Sequence, residues 1–457
     1  MNAATPMAEM TEDPRWLHAS TARWFAGKGR RGIPASITSL DWFGSPAEGE
    51  PAVRSEILTV DYPDGTQEYY QLLLSYRTEP YQPAVLGRAA EPRLGWVHDA
   101  THDPEALEVV LDALRADGRQ GDPGAADKNW SAHLVRSDML AGSLPARPFS
   151  GEQSNSSCFL GHTALVKFFR RLEPGRNIDI EMHEALGRLG VSDVDELYGW
   201  ADAALPIPAE SPGTSRRADL LMLSEQLHVQ DEGWPLAIAA AEKGEDFTAQ
   251  ASALGEALAR VHTALAQTLP TGELDCDAVA VTMTARLDQA IVQVPALGPC
   301  REQIAELFNA LRGRRLPAQR VHGDFHLGQT LFTTSGWKII DLEGEPMKSF
   351  AERATLDSVW RDVAGMVRSF GYVAATGNAG SAWAHDCIQA FESGYCGIAM
   401  TTPDTDTLTA YVVDKAVYEV VYETSNRPDW VHIPMDALME IIGSGISART
   451  GRPDNGA

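Results

Sequence analysis

The stretch Val321-His322-Gly323-Asp324-Phe325-His326-Leu327-Gly328-Gln329, an apolar run from Trp337 to Ile340, and then Asp341-Leu342-Glu343 gather oxygen-bearing side chains at short spacing. Phosphoryl transfer to an alcohol asks for a carboxylate that orients the attacking hydroxyl and accepts its proton, and for oxygen ligands that hold Mg²⁺ on the phosphates. Asp324, in a polar loop, suits the base, while Gln329 and, after the strand, Asp341 suit the metal. His-Gly-Asp alone is a frequent triplet, and a loop aspartate is commonly a cap or a turn former. The assignment takes its weight from the elements that precede it.

Those elements read as follows. Trp16 to Phe25 has helical spacing of large apolar groups, and the Gly27-Lys28-Gly29-Arg30-Arg31-Gly32 stretch after it fits G-x-G-x-x-G. A dinucleotide fingerprint follows a strand and opens a helix, whereas this one follows a helix and leads to Pro34, so it is discounted as a nucleotide site. Val53 to Tyr62 and Thr66 to Arg77, joined by Pro63-Asp64-Gly65, predict a β-hairpin. Asp103 to Asp117 reads as a helix, Thr163 to Phe169 as a strand, Ile178 to Leu189 as a helix and Leu220 to Leu223 as a short strand. From Phe247 to Leu265 the pattern is amphipathic, and the chain stays mostly helical to its end apart from the island at 320–342. Three regions result: 1–92, a β-rich cap; 93–227, an intermediate unit; and 228–457, helical and carrying the island.

Composition narrows the function classes. The 457 residues are 44% apolar and 22% charged, an ordinary globular balance with room for several packed units. Sixty-three acids against thirty-eight bases give a formal charge of −25, which repels nucleic acid and anionic membranes. A nucleotide then binds only where local cations, backbone N–H groups and Mg²⁺ outweigh the background field. The five cysteines are far apart with no C-x-x-C pair, and no run of about 18 apolar residues occurs. A cytoplasmic protein with reduced thiols is expected, a monomer or weak homodimer.

The order of motifs, His-Gly-Asp-x-His-x-x-Gln, a strand, then Asp-x-Glu, resembles the aminoglycoside and choline kinase superfamily. Gln329 stands where asparagine is commoner, which keeps an amide oxygen and lengthens the reach. The resemblance implies an α+β, bilobal protein-kinase-like fold of the aminoglycoside phosphotransferase type, with an N-terminal β-rich cap domain, a mostly helical C-lobe, and ATP and Mg²⁺ as cofactors. It gives Lys167, in Ala164-Leu165-Val166-Lys167-Phe168-Phe169, the contact to the α- and β-phosphates, with Glu181 in the next helix, then Glu184, as its ion-pair partner. A kinase glycine-rich loop is absent. Ser150-Gly151-Glu152-Gln153-Ser154-Asn155-Ser156 stands in its place, so Ser154, Asn155 and Ser156 are expected to cover phosphates through N–H groups. Ser224-Glu225-Gln226-Leu227 takes the place of the hinge, where Glu225 and Leu227 would frame the adenine.

Longer segments are similar to the actinobacterial maltokinases and maltokinase-like kinases. They are Trp24 to Arg30, Gly151 to Ser157, Asp341 to Pro346, Arg361 to Phe370, Tyr418 to Glu423 and Asn426 to Trp430. In the Arg361 to Phe370 helix the apolar members read as core, and Arg361 and Asp362 as braces for the site. Glucosamine kinases share the plan, so the resemblance implies a sugar kinase whose acceptor is glucosamine ahead of maltose, with an aminoglycoside or a choline-like alcohol further off. A pseudokinase-like binding module is the competing class, and intact Asp324, Gln329, Asp341 and Lys167 argue against it. His326, Glu343, Tyr418, Glu419, Glu423, Arg427 and Trp430 are expected on the acceptor side, with Glu419 and Glu423, four apart on one helix face, receiving a sugar ammonium or, in the plainer alternative, solvated or paired with Lys415 and Arg427.

Overall fold

The computed structural model describes residues 10–47, 49–120, 128–149, 155–207, 216–345, 348–400 and 405–450. Two compact units divide the chain: Met1–Glu181 with Asp195–Gln226, and Met182–Val194 with Leu227–Ala457. Among the described residues no helix is long and apolar enough to cross a membrane.

The first unit opens with helix α1 (Pro14–Thr21), whose N-cap Asp13 accepts a hydrogen bond from Arg15 N–H and whose first turn holds Pro14. The apolar spacing predicts this helix on to Phe25, but it stops at Thr21. Ala22 is extended, and the chain turns so that Trp24 and Phe25 lie 6.0 and 4.9 Å from the Tyr70 ring. Aromatic burial outweighs the extra helical turn. A sheet follows, built from β1 (Ile33–Gly44), β2 (Ala52–Asp61), β3 (Gln67–Arg77), β4 (Val85–Arg88) and β5 (Trp96–Asp99) in the order β1-β2-β3-β5-β4. The predicted hairpin is β2 and β3, in register from Ala52 opposite Tyr76 to Asp61 opposite Gln67.

Helix α2 (Pro104–Gln120) leads to a second sheet of β6 (Trp130–Leu134), β7 (Ala146–Pro148), β8 (Ser156–Leu160), β9 (Ala164–Phe168), β11 (Leu197–Ala204) and β12 (Arg217–Glu225), ordered β6-β11-β12-β9-β8-β7. Leu107, Val110, Leu111 and Leu114, at helical spacing on α2, share one core with Val53, Ile57 and Leu73 of the first sheet and Val166, Phe168, Leu221 and Leu223 of the second. After β9 the chain crosses back: the two-residue strand β10 (Arg171–Leu172) pairs with Tyr70 and Tyr69 of β3. Helix α3 (Ile178–Arg188) comes next.

The second unit contains a three-stranded sheet of β13 (Val229–Glu232), β16 (Thr330–Thr333) and β17 (Gly336–Ile339), and a two-stranded ribbon of β14 (Gly272–Asp275) and β15 (Arg315–Ala318). Around them run α4 (Gly233–Lys243), α5 (Thr248–Thr268), α6 (Cys276–Gln293), α7 (Arg301–Asn309), α8 (Phe350–Arg353), α9 (Trp360–Thr376), α10 (Gly380–Ala399), α11 (Thr405–Asn426) and α12 (His432–Thr450). Helix α5 buries Leu254, Leu258, Val261 and Leu265, and the Trp337 indole N–H of β17 donates to Gln250 O of α5 at 2.9 Å. The strand and the loop before it are thereby fixed to the helical layer.

Candidate active site

In the second unit, the loop from His322 to Gln329 is held by its backbone. Asp362, fully buried in the first turn of α9, accepts from the N–H groups of His322 at 2.7 Å and Gly323 at 2.8 Å, and from His262 Nε2 at 2.9 Å. His262 Nδ1 in turn faces the Tyr395 hydroxyl at 2.9 Å, so the ring donates through Nε2 and accepts through Nδ1. Burial alone would raise the Asp362 carboxyl, but the hydrogen bonds it accepts from His262 and from the loop N–H groups hold it below the usual carboxylate range. Helix α9 comes so near the loop that a Cβ on Gly365 would lie 2.4 Å from Phe325 O. Of the two expected braces, Asp362 holds the loop, whereas Arg361 pairs with Asp357 and Asp414.

The triplet itself has a local logic. Gly323 has φ +82°, a backbone that a side chain would strain. His322, buried, donates from Nε2 to Ile340 O at 3.0 Å and accepts the Asp324 N–H on Nδ1 at 3.3 Å, which ties the loop to the chain just before Asp341. His326 Nδ1 accepts the Gly328 N–H at 3.0 Å, and burial lowers its imidazolium to about 4 against the opposing pull of Asp324. Its ring caps the turn that follows.

Gln329 and Asp341 are brought together, with Gln329 Nε2 3.4 Å from Asp341 Oδ2. Asp341 has φ +61°, a left-handed conformation that aspartate adopts more readily than most side chains with a Cβ. Carboxylate oxygens of Asp341 and Glu343 lie within 4.8 Å of each other, and Glu343 also faces Arg353 at 3.7 Å. An amide oxygen and carboxylates form a hard-oxygen set that suits Mg²⁺. Glu343, expected at the acceptor, is placed with this set.

Helix α11 alters the expected acceptor side. Its Lys415, rather than a group on the loop, meets Asp324: Nζ lies 3.0 Å from Oδ1. Burial would raise Asp324, but the Lys415 ammonium keeps it below the usual carboxylate range. Glu419 and Glu423 were expected to receive an ammonium from the substrate, and the structure gives both an arginine. Glu419 is bound by Arg368 at 2.8 Å. Glu423, 2% exposed, is bound by Arg427 at 2.7 Å and by the Tyr372 hydroxyl at 3.2 Å. Two carboxylates drawn out of water, Glu423 buried and Glu419 half-buried, need cations of their own, and the protein supplies them. Arg427 and Trp430 pack together, guanidinium over indole at 4.6 Å, and Tyr418 gives its hydroxyl to Glu345.

In the first unit, Lys167 sits in β9 between Ser157 of β8 and Met222 of β12. Its Nζ meets Asp179 Oδ2 at 2.9 Å, and Asp179 is 2% exposed. Asp179, two residues before the expected Glu181, is thus a carboxylate partner of Lys167. Residues two apart on a helix point to different faces, and Asp179 occupies the first turn of α3, where a carboxylate complements the helix dipole. Ser154 lies outside the described residues. Asn155 and Ser156 are gripped by Arg170: its N–H reaches Asn155 Oδ1 at 3.2 Å and its Nε reaches Ser156 Oγ at 2.7 Å. The same fully buried guanidinium binds Asp99 at 2.9 Å and Thr101 Oγ1 at 2.9 Å. At the end of β12, Glu225 N–H donates to Glu196 O and Gln226 N–H to Thr163 O.

Residues 145–397, more than half the chain, match the profile of the phosphotransferase enzyme family. The chain belongs to that family. Residues 16–103 match the maltokinase N-terminal cap domain. Among relatives of this phosphotransferase, a glucosamine kinase of Streptacidiphilus jiangxiensis is 28% identical over 365 residues, covering 68% of this chain and 80% of that one. One of Mycolicibacterium smegmatis is 24% identical over 377 residues, covering 74% and 88%. A glucosamine kinase solved with glucosamine, ADP and inorganic phosphate superposes with a TM-score of 0.66 at 22% identity, covering 94% of this chain and all of that one. The phosphotransferase therefore has the kinase-like fold expected, mixed helix and sheet with a β-rich cap, and its acceptor is an alcohol group.

Proposed function

We propose that this phosphotransferase moves the γ-phosphoryl group of ATP to a hydroxyl of glucosamine, giving glucosamine 6-phosphate. The observation that carries the reading is the similarity to glucosamine kinases over 68% of the chain, together with a half-buried Asp324 carboxylate paired with Lys415 on a loop held by Asp362. Asp324 orients the hydroxyl and takes its proton, and Lys167 binds phosphate oxygens. Gln329, Asp341 and Glu343 would hold Mg²⁺, which neutralises charge on the phosphates. With the N–H groups of Glu225 and Gln226 occupied, adenine would be read by backbone groups from Leu227 onward.

Maltose is the second reading, favoured by the cap-domain match at 16–103. The choice between them is tested by ADP release with glucosamine, N-acetylglucosamine, glucose and maltose in one assay, with and without a chelator. A site built for the ammonium penalises its acetylation or removal by orders of magnitude in kcat/KM. Comparable use of maltose overturns glucosamine, and full activity in chelator overturns the metal.

A further inference from the structure

Resting on the reading of Asp324 as the base, we propose that Lys415 is its positioning residue: the ammonium occupies Oδ1, fixes the rotation of the carboxylate, and leaves Oδ2 as the atom that takes the acceptor's proton.

The geometry is specific about which oxygen is used. Lys415 Nζ is 3.0 Å from Oδ1, whereas Oδ2 accepts no hydrogen bond among the described residues. The backbone of the loop is fixed by Asp362, and the Asp324 N–H by His322. The freedom that remains to the side chain is the broad terminal torsion that exchanges the two oxygens. A cation on one of them ends that exchange.

Lys415 has other carboxylates within reach, and each is engaged elsewhere. Glu345 is 4.0 Å from Nζ, beyond hydrogen-bond distance, and is held by Lys348 at 2.9 Å and by the Tyr418 hydroxyl. Glu419 is held by Arg368 at 2.8 Å. The Tyr418 ring lies 4.9 Å from Nζ and lends its face to the charge. The arginine and lysine partners thus leave Lys415 to Asp324.

In the transfer, the acceptor O–H bond breaks and its proton goes to Oδ2. The acceptor oxygen forms a bond to the γ-phosphorus, the bond from that phosphorus to the β,γ-bridging oxygen breaks, and ADP leaves with the electron pair. Lys415 keeps its protons throughout. The charged or titratable groups facing Asp324 are the Lys415 ammonium from α11 and the His322 and His326 rings from its own loop; those facing Lys415 are Asp324, Glu345 and Glu419. Without the ammonium, burial acts on Asp324 with less opposition and its carboxyl rises.

The test compares wild type, Lys415→Met, Lys415→Gln and Lys415→Arg for kcat, both KM values and the pH dependence of kcat/KM for the acceptor. Lys415→Met is expected to lower kcat by about 10- to 100-fold, to leave KM for ATP within about 3-fold, and to move the acid limb upward by about one pH unit. Lys415→Arg restores most of kcat and returns the limb. Lys415→Gln, which keeps a donor for Oδ1 without charge, shows the limb shift with a smaller loss of kcat, and gives the answer should the Met variant not fold. A folded Met or Gln variant with wild-type kcat and an unmoved limb overturns the proposal, as does a rise confined to the acceptor KM. A wild type that phosphorylates no hydroxyl compound removes the reading of Asp324 itself, an outcome distinct from both.

Discussion

The protein contains two lysine–aspartate pairs at its candidate chemical groups, and they differ in how the chain makes them. Lys167 and Asp179 stand 12 positions apart, strand to following helix, at 2.9 Å. Lys415 and Asp324 stand 91 positions apart, loop to distant helix, at 3.0 Å. Both aspartates are largely withdrawn from water, so each needs its cation. A local pair can serve as a fixed fitting of the nucleotide lobe. The distant pair depends on the packing of a whole helical layer, which makes it responsive to anything that moves α11.

The sharpest break in the comparison comes from removing the aspartate that is meant to do chemistry. Asp324→Asn should lower kcat by roughly 10² to 10⁴ with ATP affinity and the circular dichroism spectrum retained. Near-normal turnover in the folded variant removes Asp324 from the base role. Next in size, Asp179→Asn should raise KM for ATP by about 10-fold, the worth of one charge-assisted contact, while Glu181→Gln stays within about 3-fold. The reverse order in steady-state kinetics would return the pair to Glu181. The smallest effect on turnover is expected at Glu423→Gln, which weakens a buried pair with Arg427 and costs about 1–3 kcal/mol of stability. Thermal melting should fall while the acceptor KM holds within about 3-fold, and a large rise in that KM would put Glu423 back in the acceptor site.

What could be read in advance follows from range. The β2–β3 hairpin, the α2 helix and the strand bearing Lys167 are written in local periodicity and turn residues, and they are where they were expected. The His-Gly-Asp loop was legible because glycine, histidine and aspartate each answer a backbone demand within a few residues. Strand β1 was missed because it is an edge strand with Ser36, Thr38, Ser39 and Asp41 among its apolar residues, so its alternation is blurred. Helix spacing placed Glu419 and Glu423 on one face with Lys415, but spacing does not say which carboxylate a lysine will choose. That choice was made by Arg368 and Arg427, which claim the glutamates first.

Arg170 has a consequence for inheritance. Its guanidinium joins Asp99 and Thr101, within the region matching the cap, to Ser156 at the start of β8, and the strand after it is stitched into the cap sheet. A cap exchanged as an independent cassette would have to bring its own carboxylate for this guanidinium. Grafting a foreign cap without Asp99 would leave a buried guanidinium without its counterion, a penalty of about 3–5 kcal/mol. A chimaera between relatives is expected to keep this joint wherever both parents supply the same residues at positions 99, 101, 156 and 170, and to melt lower where they do not.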